Sequence, residues 1–297
     1  MRTEQVRLGQ LICLAAYPDR LDLPLRDDAL IGVAAPPPPV VLVHGLGGGN
    51  WGWEYFQQYF AQHGVTTYAL ELPGHGAQVD PHTSRRMGTY SVESYALWVA
   101  SALAELGRAV VIGHSMGGLV AQKLAESQIQ EGFIFLASAP PWHMFRGAYK
   151  RMWSYILRHP WQEIIAPLTG RTMLMDSGMQ AELVNNRLPP EIRADVSRQD
   201  VPDSGRACVQ MVVGLVSIDV KRVTSPCLVV GGLADRLIPP IEQRRLAQFY
   251  GCPLQMYDCG HMLMLEPGWE QVADGILGWI TQLPAASTDL ASQLAAD

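Results

Sequence analysis

The stretch Val110-Val-Ile-Gly-His-Ser-Met-Gly-Gly118 decides how this chain is read. A short β-branched run ends in Gly113-His114-Ser115-Met116-Gly117, and the helix-compatible Gly118-Leu-Val-Ala-Gln-Lys-Leu-Ala125 follows at once. The pattern G-x-S-x-G between a strand and a helix describes a tight, strained elbow that holds a serine hydroxyl clear of the backbone. Gly113 and Gly117 suit it because a Cβ at either place would crowd the neighbouring strand or helix. Five residues of pattern are common by themselves. The strand before and the helix after make them informative.

Outward from the elbow, strands and helices alternate. Val40-Val-Leu-Val43 is a buried-strand run ending in His44-Gly-Leu-Gly-Gly-Gly49, and Trp51 to His63 have helical spacing with Trp53, Phe56, Tyr59 and Phe60 near one face. Thr66 to Leu72 form a strand ending in Pro73-Gly-His-Gly76. Ser91 with Ser94 opens a helix to about Leu106, which Gly107 stops. Ala109 to Ile112, Gly132 to Ala137, Cys227 to Val230 and Leu254 to Tyr257 are further strands, with helical segments at about 240–250 and 269–282. Continuous apolar strands alternating with helices predict an α/β fold, a mostly parallel sheet covered by helices on both faces. Residues 1–35 offer one or two edge strands, around 5–15 and 28–34, before the donorless Pro36 to Pro39.

The alternation breaks once. Between Pro140 and Pro226 the chain offers helices but no clear strand, a long interruption for a sheet protein. The expected organisation is a core domain of residues 1–139 and 216–297 carrying a helical cap at 140–215. The first half of the cap holds Trp142, Phe145, Tyr149 and Trp153. These aromatics either fasten the cap to the core or line a pocket for an apolar substrate.

With 297 residues, a single large core is within reach. Hydrophobic residues at 48% and charged residues at 17% describe a globular chain, and a net charge of −6 argues against a nucleic-acid or anionic-membrane surface. Cys13, Cys208, Cys227, Cys252 and Cys259 form no C-x-x-C, so they read as reduced thiols and neither a disulfide framework nor a zinc site. The apolar patch at 11–16 is too short for a secretory segment, and no run is long enough to span a bilayer. The expectation is a cytoplasmic protein, monomer or homodimer, without stable membrane insertion.

A serine hydroxyl becomes a nucleophile only when a base takes its proton, and an acid must hold that base in the right tautomer. His261, in Asp258-Cys-Gly-His-Met-Leu263, lies just beyond the strand 254–257. Asp235, in Gly231-Gly-Leu-Ala-Asp-Arg-Leu-Ile-Pro-Pro240, likewise follows a strand. Ser115, Asp235 and His261 are thus the catalytic candidates, with Asp258 as the alternative acid. A developing oxyanion needs two preorganised donors. The N–H of Met116, next to the nucleophile, supplies one, and Leu46, in the loop after Val40–Val43, the other. His44 is expected to brace that loop, and His75 and His114 to be structural. His44, Gly45, His114, Leu237 and Met262 join the cap aromatics as pocket candidates. No metal or cofactor is called for.

His44-Gly45, Leu72-Pro-Gly-His-Gly76, Gly113-His-Ser-Met-Gly-Gly118, Gly232 to Asp235 and Gly260-His261 resemble, in order, the landmarks of the α/β-hydrolase superfamily. The resemblance covers about residues 36–283, with Glu71 standing where the family often has Asp. It implies a Ser/Asp/His triad that forms an acyl-enzyme which water hydrolyses, acting on a small to medium carboxylic ester with an apolar part. A serine at position 115 argues against the family's aspartate-nucleophile epoxide hydrolases and haloalkane dehalogenases. Lactonase, thioesterase and carbon–carbon bond hydrolase remain compatible with the same triad, as does a non-hydrolytic lyase or a ligand-binding receptor. The motifs specify the superfamily strongly and the substrate hardly at all.

Overall fold

In the computed structural model, which describes residues 1–19, 37–79, 81–144, 157, 169–199 and 201–284, the apolar runs become one eight-stranded sheet. Its first strands are β1 (Arg2–Leu8), β2 (Leu11–Tyr17), β3 (Val40–Val43), β4 (Thr67–Leu70), β5 (Val110–His114) and β6 (Gly132–Leu136). Two-residue strands β7 (Thr172–Met173) and β8 (Asp203–Ser204) pair antiparallel with each other, apart from the main sheet. Strands β9 (Cys227–Gly232) and β10 (Leu254–Tyr257) complete the sheet in the order β1-β2-β4-β3-β5-β6-β9-β10. From β4 to β10 the neighbours are parallel, while β1 and β2 form an antiparallel hairpin on the β4 edge.

Side-chain alternation along the strands builds two cores. Val41, Val43, Val111, Phe133, Phe135 and Val229 face one side, and Val40, Leu42, Val110, Ile112, Ile134 and Leu228 the other. Helices α1 (Glu54–Gln62), α2 (Val92–Leu106), α3 (Met116–Ala125), α4 (Pro190–Gln199), α5 (Gly205–Val213), α6 (Pro240–Tyr250) and α7 (Trp269–Ile280) follow in chain order. Residues of α2, α3 and α6 fill the first core, and residues of α1 and α7 fill the second. Each fully buried Phe, Leu or Ile contributes about 1.5–3 kcal/mol of burial. The start of α2 is the expected one: Ser91 Oγ accepts from Ser94 N at 3.1 Å, and the helix ends at Gly107. Such a cap contributes on the order of 1 kcal/mol.

Three expectations are corrected or bounded. The region between β6 and β9 does contain strand, in β7 and β8, whose two residues apiece are too short to leave a periodic signal in sequence. The edge structure of the N-terminal segment is a hairpin over residues 2–17, while the expected strand at 28–34 lies outside the described residues. Among the described residues no helix is long and apolar enough to cross a membrane.

Candidate active site

Every chemistry-bearing loop singled out above leaves the C-terminal end of a parallel strand, where open α/β sheets bind ligands. Ser115 follows β5 with φ 53 and ψ −115, a conformation that costs a non-glycine residue on the order of 1–3 kcal/mol. Packing holds it there. A Cβ on Gly113 would meet Gly117 O at 2.2 Å, and one on Gly117 would meet the carbonyls of Val43 and His44 at 2.4 Å. Only glycines let β5, α3 and the end of β3 approach this closely. The Ser115 amide donates to Leu136 O at 3.0 Å, which ties the elbow to β6.

The fold brings the three separated candidates together. His261 Nδ1–H donates to Asp235 Oδ2 at 2.9 Å, and Ser115 Oγ lies 3.0 Å from His261 Nε2, positioned to donate to it. All three residues are buried. The second Asp235 oxygen accepts from the amides of Leu237 and Ile238 at 2.8 and 2.9 Å, so the carboxylate has one orientation. Asp258, the alternative acid, is 81% exposed and paired with Arg187 at 3.2 Å, and it is Asp235 that bonds the imidazole.

The remaining histidines have other tasks. His44 Nε2 accepts from Leu72 N at 3.1 Å, so its Nδ1 carries the proton and donates to Gly45 O at 2.8 Å. Burial, with help from nearby His75, lowers its pKa to about 3 and keeps it neutral. His114 is likewise held neutral, at about 3, by burial and by the neighbouring His261, and its Nε2–H donates to His261 O at 2.9 Å. His44 braces the loop after β3, and His114 braces the backbone of His261.

Two buried acids that the sequence reading passed over complete the frame. Glu266 accepts from the amides of Gly260 and Met262 (the latter at 3.1 Å), clasping His261 from both sides. Asp203, on β8, accepts from Gly47 N and Tyr95 Oη, each at 2.9 Å, and its Oδ2 lies 3.1 Å from His75 Nε2. It thereby fastens the β3 loop to the segment between β6 and β9. Burial opposes a charge on both partners. The mutual attraction outweighs it, raising His75, with Glu71 adding to the effect, and holding Asp203 well below the usual carboxylate range. No local motif marks either acid. Glu266 stands out only as an acid in the apolar stretch Met262-Leu-Met-Leu265, and Asp203, among the polar residues 197–206, carries no such signal.

Breaking this pair has a calculable cost. Asp203→Ala leaves a buried imidazolium without its partner and is expected to destabilise the protein by about 3–5 kcal/mol. His75 is raised above its free value, so its contribution is complete below about pH 6.5 and fades as pH climbs through the raised value. Asp203 is depressed, so its share is complete above about pH 4 and is lost only in strong acid. Urea unfolding of Asp203→Ala against the parent protein should therefore show the largest gap at about pH 5–6 and a smaller one in alkali.

Ser115 and His261 open onto a cleft whose enclosed volume is about 70 Å³. His44, Gly45, Leu46, His114, Leu237 and Met262 line it as expected, joined by Met173, Met175, Val184 and Val196 from the segment between β6 and β9. Trp142 does not. It is 53% exposed, its amide donates to Val216 O at 2.7 Å, and its short turn packs near α6. Phe145, Tyr149 and Trp153 lie outside the described residues. Met116 is buried at the first position of α3, directly after Ser115, and Leu46 sits on the facing loop. Among the described residues no cluster of three or more His, Cys, Asp or Glu side chains is arranged to hold a metal ion.

A family model described as the alpha/beta hydrolase family matches residues 40–274. The chain belongs to that family. Relatives divide into partial and nearly complete matches. This alpha/beta hydrolase is 33% identical over 95 residues to an uncharacterised protein of Mycobacterium tuberculosis, covering 31% of the chain and only 26% of that protein. It is 26% identical over 256 residues to a monoacylglycerol lipase of Mycolicibacterium smegmatis, covering 81% of the chain and 87% of the lipase. Among solved structures, the monoacylglycerol lipase of Paleococcus ferrophilus superposes with a TM-score of 0.63 at 21% identity, covering 96% of this chain and all (100%) of that one. That likeness speaks for the hydrolase fold.

Proposed function

We propose that this protein is a serine hydrolase that cleaves a carboxylic ester of small to medium size with an apolar moiety. The reading rests on one observation: the hydrogen-bonded series Ser115, His261, Asp235 lies on the floor of an apolar cleft. Ser115 Oγ attacks the ester carbonyl as His261 Nε2 takes its proton, and Asp235 stabilises the imidazolium that forms. The carbonyl oxygen becomes an oxyanion facing the amides of Leu46 and Met116. Collapse of the tetrahedral intermediate expels the alcohol, which takes the proton back from His261. Water then repeats the sequence on the acyl-enzyme, with His261 first as base and then as acid.

The remaining parts fit this sequence. Residues 140–215 act as a cap over the core formed by 1–139 and 216–297, and the Met173, Met175, Val184 and Val196 walls shape the apolar side of the substrate. Methionine walls adapt to more than one acyl shape. The nearly full-length match to a protein named monoacylglycerol lipase supports an ester over the other bonds open to this triad.

Hydrolysis of p-nitrophenyl esters of graded acyl length tests the reading. Activity is expected to peak at one chain length, set by the depth of the cleft. No turnover on any ester, with Ser115 still labelled by a fluorophosphonate, would leave the nucleophile competent and overturn the ester assignment.

A further inference from the structure

Residues 180–184 form a π-helical turn, closed by a hydrogen bond from Asn185 N to Gln180 O at 2.7 Å. π turns are rare and concentrate at functional sites. This one delivers Asn185 to the wall of the cleft that holds Ser115. Asn185 is 2% exposed, yet its side-chain Oδ1 is enclosed without a hydrogen-bond partner among the described residues. The next residue, Asn186, also has an enclosed Oδ1 without a partner, but its Nδ2 donates to Ala234 O at 3.1 Å, beside Asp235, and it does not line the cleft.

Leaving a buried amide oxygen unpaired destabilises a fold, so such groups are ordinarily satisfied. An amide held unpaired at the wall of a reaction cleft is matched when a ligand brings the partner. We infer that Asn185 is the specificity residue for a neutral hydroxyl on the substrate, which makes the substrate a hydroxylated ester. The inference rests on the serine-hydrolase reading and extends it. A hydroxyl both donates and accepts, so it satisfies the amide in either orientation. A neutral group is favoured over an anionic one because no Lys or Arg lines the cleft among the described residues, whereas the Asp203 carboxylate does. The walls beside Asn185, including Val184, Leu237 and Met262, leave the rest of the substrate apolar.

Two matched ester pairs test this: propyl butyrate against 2,3-dihydroxypropyl butyrate, and methyl hexanoate against methyl 6-hydroxyhexanoate. The first places the hydroxyl on the alcohol side, the second on the acyl side. In one pair the unmodified protein should prefer the hydroxylated ester by roughly tenfold or more in kcat/KM. Asn185→Leu, of similar volume, should bring that ratio close to one. Its melting temperature in the absence of ligand should hold or rise, because an unmatched polar group has been removed. A preference that survives Asn185→Leu, no preference in either pair, or a fall of several degrees in melting temperature would each overturn the assignment. Cleavage of none of the four esters, while p-nitrophenyl esters are still hydrolysed and a fluorophosphonate still labels Ser115, would overturn the hydroxylated-ester class alone. Failure of Ser115 to label would instead remove the serine-hydrolase reading beneath it.

Discussion

Ser115→Ala is expected to lower ester hydrolysis by about 10⁴- to 10⁶-fold while leaving the fold in place. The hydroxyl oxygen is the atom that would become bonded to the acyl group, and it stands 3.0 Å from the base. Its loss removes the covalent route and leaves whatever oxyanion stabilisation and binding contribute alone. The structural cost is small. The strained backbone at residue 115 is held by Gly113, Gly117 and the bond from its own amide to Leu136 O, none of which involves the hydroxyl. A stability change within about 1 kcal/mol is expected. Steady-state kinetics beside a thermal melt check it, and a folded alanine variant that retains the parent rate would eliminate Ser115 as nucleophile.

Asp235→Asn is expected to cost about 10⁴-fold in kcat. The reason lies in who donates around this carboxylate. Oδ1 accepts from two backbone amides and Oδ2 from His261 Nδ1–H. An asparagine has one acceptor oxygen and one donor nitrogen, and the two amides of Leu237 and Ile238 claim the oxygen. The NH₂ group is then turned toward His261, which must present a bare Nδ1 and move its proton to Nε2. In that tautomer the imidazole cannot take the proton of Ser115. Asp258→Asn, at an exposed carboxylate paired with Arg187, is the control and should change the rate little. If the Asp258 variant is the damaged one, the acid has been misassigned. Nδ1 and Nε2 proton shifts of His261, read by NMR in the Asp235→Asn protein, would report the tautomer directly.

Much of the frame was legible before any coordinates because it is written in short-range patterns. Continuous apolar runs such as Val40–Val43 and Gly132–Leu136 specify strands buried on both faces, and the spacing of Gly113 and Gly117 specifies a turn that only glycine permits. Ser91 and Gly107 bound a helix by local hydrogen bonding and backbone preference. The reading was weakest where elements are too short or too irregular to have a period. β7 and β8 span two residues each, the π turn at 180–184 interrupts helical spacing, and Trp142 looks like a pocket aromatic although it is half exposed and absent from the cleft lining.

By itself, then, the sequence determined the sheet and its parallel sense, the elbow at Ser115, and the order in which an acid and a histidine leave later strand ends. Those features depend on residues within a few positions of one another, where hydrophobic period and φ/ψ preference act. Only the tertiary structure decided that Asp235 and not Asp258 reaches His261. It likewise decided that Glu266 clasps the histidine loop, that Asp203 bonds an amide 156 residues away at Gly47, and that Asn185 meets the cleft with an unmatched amide. Contacts between buried polar groups so far apart are chosen by how helices and loops pack on the sheet, and that packing is a property of the whole core.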